Sequence, residues 1–374
     1  MTEFGPVSAG ELDELAATVR DFCRKSLPQP TLARPATIRD ADAARAHWKR
    51  LAAEVGLGSL LVPEAFDGAG ASLVEAGRVA EALGAELAAV PFLSTAVLAP
   101  VLLSSLAGDD PESPAGKLLG RIADGTTVAA VAWATDDPGT PSAELVITDG
   151  TTATGSFGYV IDADLADVVL LVGAGGEQIA VAGVGDLEIT PRQSFDLTRG
   201  FADVRAEAAP VEKLGSGAAA RTAFERMLAA GRLVAAAESA GGAQAALDQA
   251  VEYARQRVQF GREIGSFQSI KHILADCYVA TESTISTARL AIDAYAAGTS
   301  EAAELVSLAS FYCADKFADV AAAGIQVHGG IGFTAECSAH LFRRRAESNR
   351  LILGDPARLR AEYVQLLATQ EVSA

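Results

Sequence analysis

No apolar run in this chain reaches the roughly 20 residues a bilayer-spanning helix needs. The longest, such as FLSTAVLAPVLL from Phe92, is broken by Pro100. Cysteine is scarce and unpatterned: Cys23, Cys277, Cys313 and Cys337 form no CxxC pair, and the four histidines are scattered. Neither a disulfide framework nor a metal site is supported, and reduced core thiols are expected. The N-terminal segment has no basic stretch followed by an apolar one, which argues against a secretory signal and for the cytoplasm. Positive charge is in deficit, with 30 Lys and Arg against 48 Asp and Glu and a net charge of −18. That balance repels nucleic acid. The densest basic run, Arg343 to Arg345, is expected on a solvated helix or a subunit interface.

Half of the 374 residues are hydrophobic, enough for a large core in more than one folding layer. Up to about residue 125 the texture is helical, with amphipathic segments on either side of the VPEAFDGAG loop and Gly84 closing one of them. From 126 to 213 it changes to short β-rich pieces, VAAVAWAT, AELVITDG, DVVLLVG and QIAVAGV, between Gly, Asp and Thr clusters. From 214 to 374 Ala and Leu periodicities return in four long segments. The expected fold is α+β, mainly α: an N-terminal helical domain, a small central β domain and a C-terminal four-helix bundle.

Two motifs carry chemistry. One is YARQRVQFGREIGSFQSIKHILAD, from Tyr253 to Asp276, and the other is QVHGGIGF, from Gln326 to Phe333. An arginine can fork two donors onto a pyrophosphate, and a glycine pair lets the backbone approach a ligand closely. Taken alone, each also suits a solvated basic helix or an ordinary turn. Together, in this order, they resemble the acyl-CoA dehydrogenases, and the helical, β, helical layout resembles that family over nearly the whole chain. The resemblance implies FAD held by Arg257, Phe260, Gln268, Gln326, Gly329 and Gly330. It also implies an acyl-CoA substrate, reoxidation by an electron-transfer flavoprotein, and a tetramer of identical or related subunits. Weaker matches put Thr135 and Asp136 in the loop that touches the flavin, and Tyr159 where the family carries an aromatic residue beside it. The run SFDLTRGFADV resembles the family's close of the β domain, with Asp196 and Arg199 at the domain junction or facing ligand.

The family's usual catalytic glutamate is missing. In RRRAESNRLILGDP, Leu353 stands in its place and Asp355 replaces a threonine that helps hold the cofactor. A backbone N–H does not depend on its side chain, so Leu353 still offers the donor that polarises the thioester oxygen in the family. Asp355 near a pyrophosphate would repel it. The base is expected instead at Glu238, in a pattern that resembles bacterial members. Val234, Gly241, Gly242 and Ala245 lie at i−4, i+3, i+4 and i+7 from it on a small, apolar helix face. An unpaired carboxylate there is costly to ionise, which raises its pKa toward that of a working base. Pairing with an arginine such as Arg232 or Arg257 is the structural alternative. Three activities stay open: FAD-dependent formation of a trans-2-enoyl-CoA with Glu238 as base, a non-catalytic subunit of a heterotetrameric enzyme, and an oxidase that uses oxygen directly.

Overall fold

The computed structural model describes residues 7–26, 40–133 and 142–371. The opening region forms α1 (Ala9–Ser26), α2 (Ala41–Val55), α3 (Leu73–Ala85), a π-helical turn (Phe92–Leu98), α4 (Ala99–Ala107) and α5 (Pro114–Ala123). Local chemistry sets several of these ends. The Asp40 side chain accepts the Ala43 N–H to start α2, and Gly56, at φ 79°, stops it in the left-handed region. Ser113 caps α5, with Pro114 at its first position.

The strands are β1 (Ala129–Trp133), β2 (Ser142–Thr148), β3 (Thr152–Ile161), β4 (Val168–Val172), β5 (Gln178–Gly183), β6 (Glu188–Arg192), β7 (Phe201–Pro210) and β8 (Glu212–Ser216). Then come α6 (Gly217–Gln256), a hairpin of β9 (Val258–Gln259) and β10 (Arg262–Glu263), α7 (Gln268–Ala297), α8 (Ala302–His328), a 3-10 turn (Gly329–Phe333), α9 (Ala339–Leu351) and α10 (Pro356–Glu371). The mainly helical α+β class is as expected. The C-terminal bundle carries one further short helix, because Gly354, at φ 136°, and Pro356 divide its last segment into α9 and α10. Among the described residues no helix is long and apolar enough to cross a membrane.

The chain divides into two compact units that draw on separate stretches of sequence. One comprises 1–38, 73–88 and 232–374; the other comprises 39–72 and 89–231. The helices of the opening region are therefore shared between the units, and α6 starts in one and ends in the other.

In the unit that contains the strands, β1, β4, β5 and β8 form one sheet, with β1 parallel to β4 and the other pairs antiparallel. The antiparallel order β2-β3-β7-β6 forms a second sheet. Val169 and Leu171 of the first share a buried cluster with Phe157, Val160 and Val204 of the second, and β4 is buried along its whole length. In the other unit α1 packs on α3, α3 on α7, α7 on α8, and α8 on α9 and α10. Here α6 is buried without a break from Leu233 to Ala243. A Cβ on Gly84 would lie 2.2 Å from the Glu238 carbonyl oxygen, and one on Gly241 1.9 Å from the Glu81 carbonyl oxygen. Gly84 thus serves a close crossing of α3 with α6 rather than a helix stop.

Candidate active site

The two motifs meet at one place in the helical unit. Ala250 and Ala254, near the end of α6, and Val327, near the end of α8, share a cluster with Tyr253, Ile264, Ile270, Ile273 and Leu274. The Tyr253 ring stacks on His328 at 4.4 Å between centroids. This packing brings together the hairpin with Arg257 and Phe260, the first residue of α7, Gln268, and the run from Gln326 through Gly330. Arg257, Phe260, Gln268, Gln326, Gly329 and Gly330 are all exposed. Phe260 is 91% exposed and held at φ 53°, a conformation that costs a non-glycine residue about 1 kcal/mol or more and gains no burial in return.

These residues fit FAD on two structural grounds. No side chain caps the N-terminus of α7, which leaves its first-turn N–H groups without a side-chain partner, as a pyrophosphate site requires. At Gly329, with φ 65°, and at Gly330 an added Cβ would meet nothing within 4 Å, which leaves the backbone open to a ligand. Sequence reasoning passed over one nearby feature. Arg262 lies with its guanidinium carbon 4.1 Å over the Phe267 ring, which in turn meets Phe260 edge-on at 6.1 Å. Their five-residue spacing matches neither a helix nor a strand period, so only the hairpin reveals the pair.

Glu238 is buried in the same unit, but the premise of an unpaired carboxylate is corrected. Arg345 of α9 donates to Glu238 Oε1, and the two side chains are 3% and 10% exposed. A second link runs parallel: Asn349 Nδ2 donates to Ser239 Oγ at 3.0 Å, and Ser239 Oγ donates to the Ala235 carbonyl at 2.8 Å. The partner is neither Arg232 nor Arg257, since residues four apart on α9 meet two adjacent residues of α6. The small face around Glu238 is filled by helix packing: Gly241 faces the α3 backbone, and a Cβ on Gly242 would lie 2.4 Å from Phe317 Cζ.

Of the two expectations for the arginine run, the solvated helix is corrected as well. None of Arg343, Arg344 and Arg345 is exposed. Arg343 pairs with Glu347 and donates to the Ala318 carbonyl at 2.6 Å. Consecutive helix positions point about 100° apart, so such a run cannot lie on one solvated face.

Leu353 is buried just past α9, and its N–H has no hydrogen-bond partner among the described residues. Its carbonyl accepts Arg232 Nε–H at 3.2 Å. Burial lowers the pKa of the Arg232 guanidinium, with Glu362 at 3.4 Å as its counter-charge. Asp355 has a local role that the sequence comparison did not suggest. Its side chain accepts the Arg358 N–H at 3.0 Å at the start of α10.

The remaining expected residues belong to the other unit. Tyr159 sits at an irregularity of β3 against β7, at φ 54° and 51% exposed, with Arg192 5.9 Å from its ring centroid. Asp196 is buried and closes a local turn, accepting from Thr198 N at 2.9 Å and Thr198 Oγ1 at 2.6 Å. Arg199 is buried beside that turn. Thr135 and Asp136 lie outside the described residues. All four cysteines are buried and free, and burial pushes the Cys23 thiol up to about 12.

Comparison with known proteins agrees with this layout. Residues 10–107 match the N-terminal domain of acyl-CoA dehydrogenases and residues 220–362 match their C-terminal domain. The acyl-CoA dehydrogenase IpdE2 of Mycolicibacterium smegmatis is 32% identical over 310 residues, covering 83% of this chain and 84% of that protein. Among solved structures, a variant of the Tcur3481-Tcur3483 steroid acyl-CoA dehydrogenase superposes with a TM-score of 0.82 at 23% identity, covering 97% of this chain and 99% of that one. An acyl-CoA dehydrogenase from Bacillus anthracis, complexed with FAD, gives 0.85 at 21% identity, covering 98% and 68%.

Proposed function

The chain belongs to the acyl-CoA dehydrogenase family, and from that premise we propose that it takes part in FAD-linked conversion of an acyl-CoA thioester to a trans-2-enoyl-CoA, with Glu238 as the residue that removes the substrate α-proton. The family consists of flavoprotein oxidoreductases acting on acyl-CoA. The observation that carries the proposal is the joining of the Arg257 hairpin to the Gly329–Gly330 turn through one packed cluster. When bound, FAD supplies the hydride acceptor, and an electron-transfer flavoprotein takes the electrons onward.

The chain's own residues have distinct tasks in this reading. Arg257 and the uncapped start of α7 hold the pyrophosphate, Phe260 lies against the cofactor, and Gln268, Gln326 and the glycine pair bind it by polar contacts and close backbone approach. The Leu353 N–H donates to the thioester oxygen, so negative charge developing there on α-proton removal is met by a fixed dipole. Thr135 and Tyr159 are proposed for the flavin-ring side. Exposed Tyr278, Val279 and Phe333 supply apolar area for a tetramer of identical or related subunits. Four buried free thiols suit a reducing, cytoplasmic location.

One observation favours a second reading, a non-catalytic subunit paired with an active relative. The carboxylate proposed as base is already engaged by Arg345, and the family's usual base position holds Leu353. Anaerobic stopped-flow bleaching of the flavin by a panel of short, branched and steroid-like acyl-CoA esters tests both. Bleaching by wild type that falls at least about a thousandfold in a Glu238→Gln variant of unchanged stability and flavin content supports the base, whereas a flavin that no ester bleaches supports the partner subunit. Native mass measurement with flavin quantification then reports whether every chain carries FAD.

A further inference from the structure

We infer that Arg232 is a positioning residue: it fixes the Leu353–Gly354 peptide plane, and with the Leu351–Ile352 peptide tied to α9 this confines the Ile352–Leu353 peptide between them and so aims the Leu353 N–H. The inference rests on the proposed role of that N–H toward a thioester oxygen. Three fixed points enclose the donor. Upstream, the Ile352 N–H bonds the Ser348 carbonyl at 3.1 Å, so the chain is still tied to the last turn of α9. Downstream, Gly354 adopts φ 136° and Asp355 begins the cap of α10. Between them, Arg232 Nε–H bonds the Leu353 carbonyl at 3.2 Å. With both neighbouring peptides anchored, the Leu353 N–H is left without a partner among the described residues, in a residue only 7% exposed. A buried N–H left unpaired is costly, and it is tolerated where a ligand completes it.

Arg232 is suited to this task by its setting. It projects from the buried stretch of α6, and Glu362 of α10 lies 3.4 Å from its Nη1. Nη2 lies 3.5 Å from where a Cβ on Gly354 would stand, an ordinary van der Waals distance, so the guanidinium lies alongside the turn. The planar fork thus spans the Leu353–Gly354 turn and α10 together, which the point charge of a lysine does not do. A donor must be fixed before the reaction to stabilise developing charge without reorganisation. The turn after α9 is a short irregular segment, and Arg232 is what holds its carbonyl.

The test uses the flavin-loaded assembly and an acyl-CoA carbon-13 labelled at the thioester carbonyl, with isotope-edited infrared difference spectra of the bound ester. Wild type is expected to displace the carbonyl band to lower frequency. Arg232→Gln should lose at least half of that displacement, and kcat should fall about tenfold while KM changes less than about twofold. Glu362→Gln removes the counter-charge of Arg232 on α10 but leaves its bond to Leu353, and should keep the full displacement. If Arg232→Gln arrives without flavin, Arg232→Lys replaces it. Lysine retains the buried charge without the Nε–H and should lose at least half of the displacement too. A full displacement in the arginine variant, or equal losses in the arginine and Glu362→Gln variants, overturns the positioning role. No displacement in wild type refutes the Leu353 donor itself, and the inference falls with it.

Discussion

Removing one partner of the Glu238–Arg345 pair should cost far more than removing both. The two side chains are 3% and 10% exposed, so the values that apply are those of buried pairs and not of surface ones. Arg345→Met removes the buried guanidinium that donates to Glu238 and should destabilise the fold by about 3 to 5 kcal/mol. Adding Glu238→Gln removes the buried carboxylate charge, and the double variant should return to within about 1 kcal/mol of wild type. Urea midpoints followed by far-ultraviolet circular dichroism give the coupling energy. Tryptophan fluorescence would follow the wrong unit, since Trp48 and Trp133 both belong to the one with the strands. A coupling energy below about 1 kcal/mol would show that the pair behaves like an exposed one, and would refute the reasoning. The same cycle separates fold from chemistry. If Glu238 is the base, the double variant regains stability and stays inactive; if Glu238 only holds α9 to α6, it regains both.

Three further outcomes are expected. Gly330→Ala should leave stability within about 0.5 kcal/mol, because its Cβ meets nothing, yet weaken FAD at least about tenfold in apoprotein titration by blocking the backbone approach; unchanged affinity would move the cofactor elsewhere. Asp355→Ala should cost about 1 kcal/mol through loss of the α10 cap with no gain in flavin affinity, and a marked gain would restore the view that Asp355 repels the pyrophosphate. Gly241→Ala should lower stability by about 3 kcal/mol or more, because its Cβ would stand 1.9 Å from the Glu81 carbonyl oxygen; a near-neutral urea midpoint would mean that α3 and α6 part easily.

The mainly helical fold was legible because its signals are local. Ala and Leu periodicities, β-rich pieces and Gly or Asp punctuation each report on a few neighbouring residues. The division into compact units was not legible. It assigns α1 and α3 to one unit and α2, α4 and α5 to the other, a choice made by packing between segments far apart in sequence. The residues proposed to hold the cofactor were named because motif and spacing travel together, but the reason for their co-location, the cluster around Val327, depends on where α8 ends. The partner of Glu238 was missed for the same reason. Arg345 lies 107 residues away, and nothing in the composition of RRR separates its buried third member from the first two. Small residues around Glu238 allowed either a substrate cavity or a close helix crossing, and Gly241 and Gly242 are occupied by the crossing.

The two halves of the proposed chemistry depend on each other. Arg345 occupies Glu238 Oε1, so the carboxylate can accept a proton there only by giving up that hydrogen bond, which makes it a less ready base. A less ready base can deprotonate a carbon only if the carbon is made more acidic, and in a thioester that means stabilising the charge which develops on its oxygen. The chain offers the buried Leu353 N–H for this, with its neighbouring carbonyl held by Arg232. If that donor is sound, a paired Glu238 is a workable base. If it is not, Arg345 leaves Glu238 too engaged for the reaction, and the chain contributes fold, interface and cofactor contacts to a partner that carries the base.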